Sequence, residues 1–358
     1  MSDPFLLSRL LLRFGDTSDD LLEELSATAR TPDGSLWVGS DEFLTIERLS
    51  LIEPYVYGNH KSFFLGDFIE LFNQDDEADI EGMDFAQSYL WFTGSHSKKR
   101  NKTKGKTVEK DIERLTEIKT DSNRYLLGRI PVINGELLKS CSLFDDPNQT
   151  LTAACLKKTA DGNILIDALK TDEHLGSIIS ASIPSKDNGL DIEGLAVYGD
   201  TVFLGLRGPV LRGWAIILEL EIEAADADTL VLKSIGNSGQ PYRKHFVNLN
   251  GLGIRELCLD GEDLIILAGP TMDLEGAMQM FRLKEALGRS DNSLCDQDSD
   301  ELTLLFNLPF TIGWDHAEGL ALIPAIGESQ ALLVVYDSPN PIRRIASDAV
   351  LMDIFKLP

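Results

Sequence analysis

The sequence lacks the short motifs that identify the common classes of enzyme. It contains no G-x-G-x-x-G dinucleotide fingerprint, no G-x-S-x-G nucleophile elbow and no H-E-x-x-H metalloprotease motif. The tripeptide GKT at 105–107 is preceded by Arg100 where a P-loop needs glycine. The acidic stretch that starts at Asp296 has Glu301 where an EF-hand loop needs glycine. These absences argue against a Rossmann enzyme, an α/β-hydrolase, a P-loop protein and an EF-hand.

Cysteine is scarce, and long apolar runs are missing. The four cysteines are scattered and none lies in a C-x-x-C pair, so we expect buried thiols rather than disulfides or a zinc site. The apolar stretch near the N-terminus is short and is interrupted by Ser8 and Arg9. It predicts neither a signal peptide nor a membrane span, and no other run approaches the length that a span needs. By elimination we expect a cytoplasmic protein that does not bind membranes.

Basic residues are under-represented. The chain has 33 Lys and Arg against 58 Asp and Glu, a net charge of −25. Such an acidic body repels phosphate backbones, so nucleic acid is a poor partner. An acidic surface suits solubility, and it attracts cations or basic partners.

One segment has the opposite charge. Residues 95–110, SHSKKRNKTKGKTVEK, hold seven Lys and Arg side chains, and we call them the basic segment. Like charges at this density do not fold alone. Two interpretations stay open: a loop that extends into solvent, or a flap that binds an anionic ligand or the protein's own acidic face.

A four-residue phrase recurs along the chain. DIEG stands at 79–82 and at 191–194, HAEG stands at 316–319, and weaker copies start at Gly253 and Leu22. Each copy opens an apolar run, which a turn joins to a second apolar run. Short runs rich in β-branched and aromatic residues around such turns predict β-hairpins. One residue aligns across the five copies, and we call it the signpost of each copy. The signposts are Glu24, Glu81, Glu193, Arg255 and Glu318.

The spacing of the signposts predicts the fold class. Successive signposts are 57, 112, 62 and 63 residues apart, and the distance through the two termini is similar. About 60 residues accommodate a four-stranded blade, so the chain is expected to form one all-β domain over 1–358, a β-propeller with five visible blades. The long gap holds either a sixth, degenerate blade or an insertion at 146–186, where 150–180 shows helical spacing. An N-terminal strand is expected to complete the last blade.

Hairpin geometry brings candidate site residues to one end of the predicted channel. The start of the first strand of a hairpin and the end of the second lie at the same end, so the signposts are expected to converge on one mouth. Behind them, at the ends of the second strands, we expect Asp41, His96, Arg207, Thr271 and Asp337. Two residues before their signposts, and also able to point inward, stand Asp79, Asp191 and His316.

Converging carboxylates cannot all stay ionised without compensation. A hard cation such as Ca²⁺ or Mg²⁺ is one compensation, since both take oxygen ligands. A retained proton, which suits general acid or base chemistry, is another. Pairing with Arg207 or Arg255 is a third. The glutamates can also be structural, capping backbone N–H groups while the following glycine permits a tight turn.

The segment LGLRGPVLRGWA, residues 204–215, is the most distinctive part of the chain. Glycines let backbone approach a ligand, and Arg207 and Arg212 offer bidentate contacts to phosphate or carboxylate. The alternative is a rigid loop whose arginines are tied to the glutamates at the mouth.

These phrases carry a family resemblance. At DNGLDIEGLAV, LGLRGPVLRGWA, GIREL and IILAGPTMDLEG the chain resembles a bacterial family called domain of unknown function 3616, over roughly residues 20–355. The resemblance implies a relationship and no reaction. More distantly, the EGLA phrases are similar to those of esterase-like phytase propellers. Calcium-dependent lactonases and phosphotriesterases in the wider group hold a metal with an inward glutamate, which implies Glu81, Glu193 and Glu318 as metal ligands. Arg255 in place of an acid departs from that pattern.

Two functions follow as hypotheses. The first is a metal-dependent hydrolase of a small phosphorylated or ester substrate. In it Arg207, Arg212 and Arg255 hold the anionic group, and His96 or His316 moves a proton. The second is a propeller without chemistry that binds a protein partner, using an exposed face together with the basic segment.

Overall fold

The computed structural model describes residues 5–15, 20–142, 149–236 and 239–358. Within that part of the chain, twenty main strands pair into five antiparallel units of four, and the fold is all-β and propeller-like. The β-branched and aromatic runs around tight turns produce these strands, since such residues fit a pleated and buried surface.

Units 1 and 2 come from the first half of the chain, after an N-terminal strand β1 (Leu6–Arg13). Unit 1 consists of β2 (Leu25–Arg30), β3 (Leu36–Ser40), β4 (Thr45–Glu53) and β5 (Val56–Phe64). Unit 2 consists of β6 (Ile80–Ala86), β7 (Tyr89–Gly94), β8 (Leu127–Ile133) and β9 (Ala154–Leu156).

Units 3 to 5 come from the second half. Unit 3 consists of β10 (Asp191–Tyr198), β11 (Thr201–Gly208), β12 (Trp214–Ala224) and β13 (Arg243–Asn248). Unit 4 consists of β14 (Gly253–Asp260), β15 (Asp263–Gly269), β16 (Gln279–Leu283) and β17 (Leu302–Asn307). Unit 5 consists of β18 (His316–Ala325), β19 (Glu328–Asp337), β20 (Ala349–Lys356) and β1, which pairs antiparallel with β20.

The first strands of the five units form a closed ring. Each of β2, β6, β10 and β14 packs against the first strand of the next unit, and β18 packs against β2. The apolar core lies between neighbouring units. Trp37 of unit 1 packs in one cluster with Phe92 of unit 2, and Phe203 of unit 3 packs in another with Ile266 of unit 4. Burial of these faces holds adjacent sheets together.

Every first strand carries a β-bulge at the same place. The pairing with the second strand shifts by one residue there, which leaves one residue of the first strand unpaired. A bulge bends its strand and re-aims a side chain. The residues left unpaired in the five strands are Ser26, Glu81, Glu193, Arg255 and Glu318. The sequence alignment placed Glu24 in this set, but Glu24 lies two residues earlier, in a bridge with Asp337, and Ser26 occupies the equivalent position.

The glycine of the repeated phrase allows neighbouring first strands to approach closely. A Cβ atom on Gly82 would lie 2.7 Å from the Leu195 Cβ, and one on Gly194 would lie 3.1 Å from the Leu257 backbone nitrogen. A Cβ on Gly319 would lie 3.0 Å from the Thr28 backbone nitrogen. The phrase therefore combines a bulged residue that points inward with a glycine that lets the next unit pack against the strand.

Two insertions interrupt this pattern. Between β7 and β8, the strand pair Lys99–Arg100 and Ile118–Lys119 carries helix α1 (Val108–Arg114), which Thr107 caps. After β9 come α2 (Ile164–Leu169), capped by Asn163, and α3 (Gly176–Ser180). Strand β9 lies in the 146–186 stretch that was expected to hold an insertion or a degenerate blade, and it is the fourth strand of unit 2.

Shorter elements fill the connections. The short strands are Glu136–Leu137, Ser140–Ser142, Thr150–Thr152, Lys158–Thr159, Gly162–Asn163, Thr229–Leu232, Ser293–Cys295 and Arg344–Ala346. The 3₁₀ turns are Asp20–Leu22, Leu65–Asp67, Ser122–Tyr125, Ser185–Asp187 and Pro341–Arg343. All four cysteines are free. Among the described residues, no helix has the length and apolar character that would let it cross a membrane.

Replacing Gly82 with alanine should lower the free energy of unfolding by about 1–3 kcal/mol, the usual cost of overpacking. The new Cβ would lie 2.7 Å from the Leu195 Cβ and 3.0 Å from the Glu193 carbonyl oxygen. Gly58→Ala on β5 is the matched control, because its nearest atom is the flexible Cδ1 end of exposed Ile52. Urea denaturation of both variants checks this, and equal losses would contradict close strand approach as the role of Gly82.

Candidate functional site

Four of the five bulged side chains face one cavity. The cavity has a volume of about 460 Å³ and lies at the end of the ring where the first strands begin; we call it the mouth cavity. Glu81, Glu193, Arg255 and Glu318 line it. Ser26 instead donates its hydroxyl to the Ile80 carbonyl oxygen and joins units 1 and 2.

Residues on either side of the bulges enlarge the polar lining. Asp41, Arg207 and Asp337 stand at or just beyond the ends of the second strands, as the hairpin argument predicted. Residues two positions before the bulges also line the cavity: Asp79, Asp191 and His316. The mouth cavity therefore collects acidic side chains from all five units, with Glu275 contributed by unit 4.

Arginines neutralise one half of this acidic ring. Arg255 is only 6% exposed, and its Nη1 lies 3.1 Å from Glu193 Oε2 and 2.7 Å from Glu318 Oε1. Arg207 Nη1 lies 2.8 Å from Glu193 Oε1 and 3.7 Å from Asp191 Oδ2. Two guanidinium groups thus hold Glu193, which is buried at 2% exposure. These charge-assisted bonds fix the side chains of units 3, 4 and 5 against one another.

The other half of the ring has less compensation. Arg124 Nη2 lies 2.7 Å from Asp79 Oδ1, but the buried Oδ2 of Asp79 has no hydrogen-bond partner. Neither Asp41 nor Glu81 makes an ion pair with any described residue. The unpaired carboxyls therefore lie on the side of units 1 and 2.

Burial and mutual repulsion raise the pKa values of these carboxyls. Burial, followed by the charge of Asp79, raises the pKa of Asp41 to about 9 and that of Glu81 well above its usual value. Burial raises the pKa of Glu318 to about 8 and that of Asp191 to about 7. The pKa of Asp79 is raised less, to about 6, because the charge of Arg124 opposes the effect of burial. At neutral pH the ring holds both protonated and ionised carboxyls, which is the arrangement that acid–base chemistry uses.

His316 is the titratable cation of the mouth cavity. Its Nε2 lies 3.3 Å from Glu275 Oε1, and its Nδ1 lies 3.6 Å from Asp337 Oδ2. Hydrogen bonding to Asp337 raises the pKa of His316 above its usual value. The ring is half-buried and reachable from the cavity, so it can exchange a proton with a bound molecule.

The basic segment covers the mouth cavity. Lys99 pairs with Glu77, and Arg100 Nη2 lies 2.7 Å from Asp187 Oδ2. Lys102 and Lys104 also line the cavity and form no ion pair within the described part of the chain. The protein's own acidic face thus lies beneath the segment, as one of the two open interpretations held. The segment adds cations that are available to a ligand.

Three predicted site residues do not line the mouth cavity: Thr271, His96 and Arg212. His96 is 2% exposed, and its ring nitrogens lie 2.8 Å from the Gly94 carbonyl oxygen and 2.8 Å from Asn163 Nδ2. Burial lowers its pKa to about 4, and it lines a different cavity. Arg212 stands exposed in the turn between Leu211 and Trp214 and does not line the mouth cavity. The loop paths, rather than the hairpins, place His96 and Arg212.

Sequence reasoning missed several residues of the mouth cavity. Arg124 lies in a loop of unit 2 outside any repeat, so no pattern pointed to it. Arg114 comes from α1, and Glu275 lies between β15 and β16. The dense positive charge of the basic segment was the available signal for Lys102 and Lys104.

The ligand set Glu81, Glu193 and Glu318 does not fit a divalent cation in this arrangement. Arg255 binds two of the three carboxylates, and Arg207 binds one of them as well. A metal there would lie beside two guanidinium groups and compete with them. Among the described residues, no three His, Cys, Asp or Glu side chains are arranged to hold a metal ion.

A family model described as "Protein of unknown function (DUF3616)" matches residues 24–353. No curated protein matches the chain. Solved structures that are similar include virginiamycin B lyase from Staphylococcus aureus, with 10% identity and a TM-score of 0.38, covering 98% of this chain and 100% of that one. Aldose sugar dehydrogenase from Streptomyces coelicolor has 14% identity and a TM-score of 0.36, covering 97% and 98%. The calcium-binding protein regucalcin from Agrobacterium tumefaciens has 9% identity and a TM-score of 0.37, covering 97% of each chain. At these values the likenesses carry no argument about activity.

Replacing Arg255 with methionine should destabilise the fold by about 3–5 kcal/mol, the usual cost of leaving buried carboxylates unpaired. Adding Glu318→Gln to that variant should recover part of the loss when both variants are measured above pH 8, because Glu318 is then ionised and the substitution removes one unpaired charge. Arg282→Met breaks a more exposed pairing with Asp260 and Asp263 and should cost about 1 kcal/mol or less. Urea denaturation measures all three. No recovery in the double variant would contradict the charge argument.

Asp41→Asn should change how stability depends on pH. The pKa of Asp41 rises from 3.8 to about 9 on folding, so its contribution is complete below pH 3.8 and is lost as the pH rises through about 9. We expect the melting temperature of the variant to exceed that of the wild type by about 2–4 °C at high pH, with little difference under acidic conditions. Thermal unfolding across that range checks this, with the exposed Asp226→Asn as control. A constant difference at every pH would contradict the pKa shift.

Proposed function

This chain belongs to the DUF3616 family, and from that premise we propose that its mouth cavity hydrolyses a small phosphorylated or ester substrate. The observation that carries the proposal is the coexistence, in one cavity of about 460 Å³, of protonated carboxyls, an accessible histidine and unpaired cations. A cavity of this size with a few convergent polar groups of shifted pKa suits a small molecule.

We also propose that the five units are the blades of a five-bladed propeller. The closed ring of first strands and the equivalent bulge in each of them support this reading. On this view the mouth cavity lies on the propeller axis. The stretch 146–186 then contributes β9 to the second blade and carries the two helices as an insertion.

The chemistry follows from the two kinds of titratable group. Water adds to the phosphorus or carbonyl carbon and gives its proton to neutral His316. The bond to the leaving oxygen breaks while Glu81 delivers a proton to that oxygen, and the protons return through solvent. Glu81 suits the acid role because its raised pKa keeps it protonated and no described side chain engages it. Asp337 orients His316 at Nδ1, and Nε2 accepts the proton in place of its contact with the exposed Glu275.

The basic segment holds the anionic part of the substrate. Arg207 and Arg255 were expected in that role, but their bonds to Glu193 and Glu318 occupy them. Lys102 and Lys104 line the same cavity without an acidic partner. They line the same cavity as Glu81, so an anionic group bound to the lysines lies in the cavity that holds the proposed acid.

No step of this mechanism passes through a metal. Ca²⁺ or Mg²⁺ was expected on Glu81, Glu193 and Glu318, and the arginine pairs disfavour that set. The protein-binding module is supported less than the hydrolase. Lys99 and Arg100 of the basic segment pair with the chain itself, so the segment is not a free arm.

Purified protein should hydrolyse members of a panel of p-nitrophenyl phosphate, p-nitrophenyl acetate and simple lactones. Glu81→Gln and His316→Gln should each lower kcat by about 10²–10⁴-fold, the usual contribution of general acid–base catalysis. Lys102→Met should raise KM instead, because it removes substrate binding. Activity should rise with pH as His316 loses its proton and fall as Glu81 loses its own.

The exposed Glu223→Gln is the control, and it should leave the rates unchanged. Each assay is run with a chelator and with added Ca²⁺ or Mg²⁺. Activity that needs the ion would contradict the metal-free mechanism. Absence of turnover across the panel, or full activity in Glu81→Gln, would contradict the hydrolase proposal.

A further inference from the structure

A second cavity of about 450 Å³ lies beside the mouth cavity. The basic segment forms the wall between the two. Its side chains alternate: His96 and Lys98 line the second cavity, whereas Ser97 and Lys99 line the mouth cavity. The Lys98 carbonyl oxygen accepts a hydrogen bond from the Ser185 backbone N–H, which ties the wall to the connection that follows α3. The helical insertion and the basic segment thus enclose a separate space.

The second cavity is apolar at its base and carries polar groups without partners. Phe72, Ile166, Ile179 and Leu190 supply apolar surface. Tyr125 is only 6% exposed and lines the cavity, yet its hydroxyl makes no hydrogen bond with any described residue. The hydroxyl oxygen itself is not fully buried, so a molecule bound in the cavity can supply its missing hydrogen bond. Burial raises the pKa of Tyr125, so the hydroxyl keeps its proton and can donate a hydrogen bond.

The charge in the second cavity favours an anion. Lys170 pairs with Asp161, so these two charges cancel. Lys98 has no acidic partner among the described residues, and its Nζ bonds only the Ser182 hydroxyl, at 2.8 Å. The charged side chains that line the second cavity are thus two lysines, Lys98 and Lys170, against one acid, Asp161, in a protein whose net charge is −25. A lysine and a tyrosine hydroxyl are suitable donors to a carboxylate.

We propose that the second cavity binds a small monocarboxylate with an apolar body, of the aromatic or medium-chain aliphatic class. The carboxylate contacts Lys98 and Tyr125, and the apolar body packs on Phe72, Ile166 and Leu190. The size of the cavity is within the range of small-molecule sites. This site is separate from the mouth cavity and does not depend on the hydrolase proposal.

Isothermal titration with benzoate and hexanoate, compared with benzyl alcohol and hexanol, tests this proposal. The carboxylates should bind at least about tenfold more tightly than the alcohols, a difference of about 1.4 kcal/mol. Lys98→Met should abolish that preference, and Tyr125→Phe should weaken carboxylate binding about fivefold through loss of one hydrogen bond. Melting curves establish whether each variant is folded. If Tyr125→Phe does not fold, the binding preference of Lys98→Met is enough to test the proposal.

Lys106→Met is the matched control, because it removes the same charge from the same segment at an exposed position that lines neither cavity. It should leave carboxylate binding unchanged. Equal affinity for acids and alcohols, unchanged binding in Lys98→Met, or an equal loss in Lys106→Met would overturn the proposal. The last result would mean that the net charge of the segment, and not a contact with Lys98, favours the carboxylate.

Discussion

Close approach of the five first strands is the constraint on which the rest of the structure depends. Gly82, Gly194 and Gly319 each stand where a side chain would collide with the neighbouring strand. The bulged residue before each glycine has no partner on the second strand, so its side chain is free to turn toward the axis. One local device thus packs the units together and aims the side chains of the site.

The bulges bring carboxylates close together, and only some of these carboxylates are paired with arginine. Carboxylates aimed at one axis repel one another, and burial adds to the cost of ionisation. Arg255 occupies a bulge position itself and neutralises Glu193 and Glu318, with help from Arg207. Units 1 and 2 have no such arginine at the bulge, so Asp41 and Glu81 hold protons instead. The two halves thus differ in charge compensation, and each contains carboxyls whose pKa values are raised to different extents.

The insertions supply what the repeated strands cannot. The repeat provides a ring of acids and two of the arginines that pair with them, whereas the unpaired lysines at the mouth and the walls of the second cavity come from the basic segment and the helices after β9. Binding groups on loops held by a rigid scaffold are a common arrangement. Alternation of side chains along residues 96–99 lets one short stretch serve both cavities.

The amino-acid sequence by itself determined the repeat, the hairpins, the family and most of the acidic ring, because a strand's periodicity and its turn residues are local properties. Tertiary structure decided the pairing. Ser26 rather than Glu24 completes the bulge series, because a one-residue shift in register depends on the partner strand. The paths of loops depend on the packing around them. For this reason His96 and Arg212 do not line the mouth cavity, whereas Arg124 and Lys102 do. The pairing of arginines with the acidic ring could not be predicted from the sequence either. Arg255 is about sixty residues from both Glu193 and Glu318, and only the closed ring brings the three side chains together.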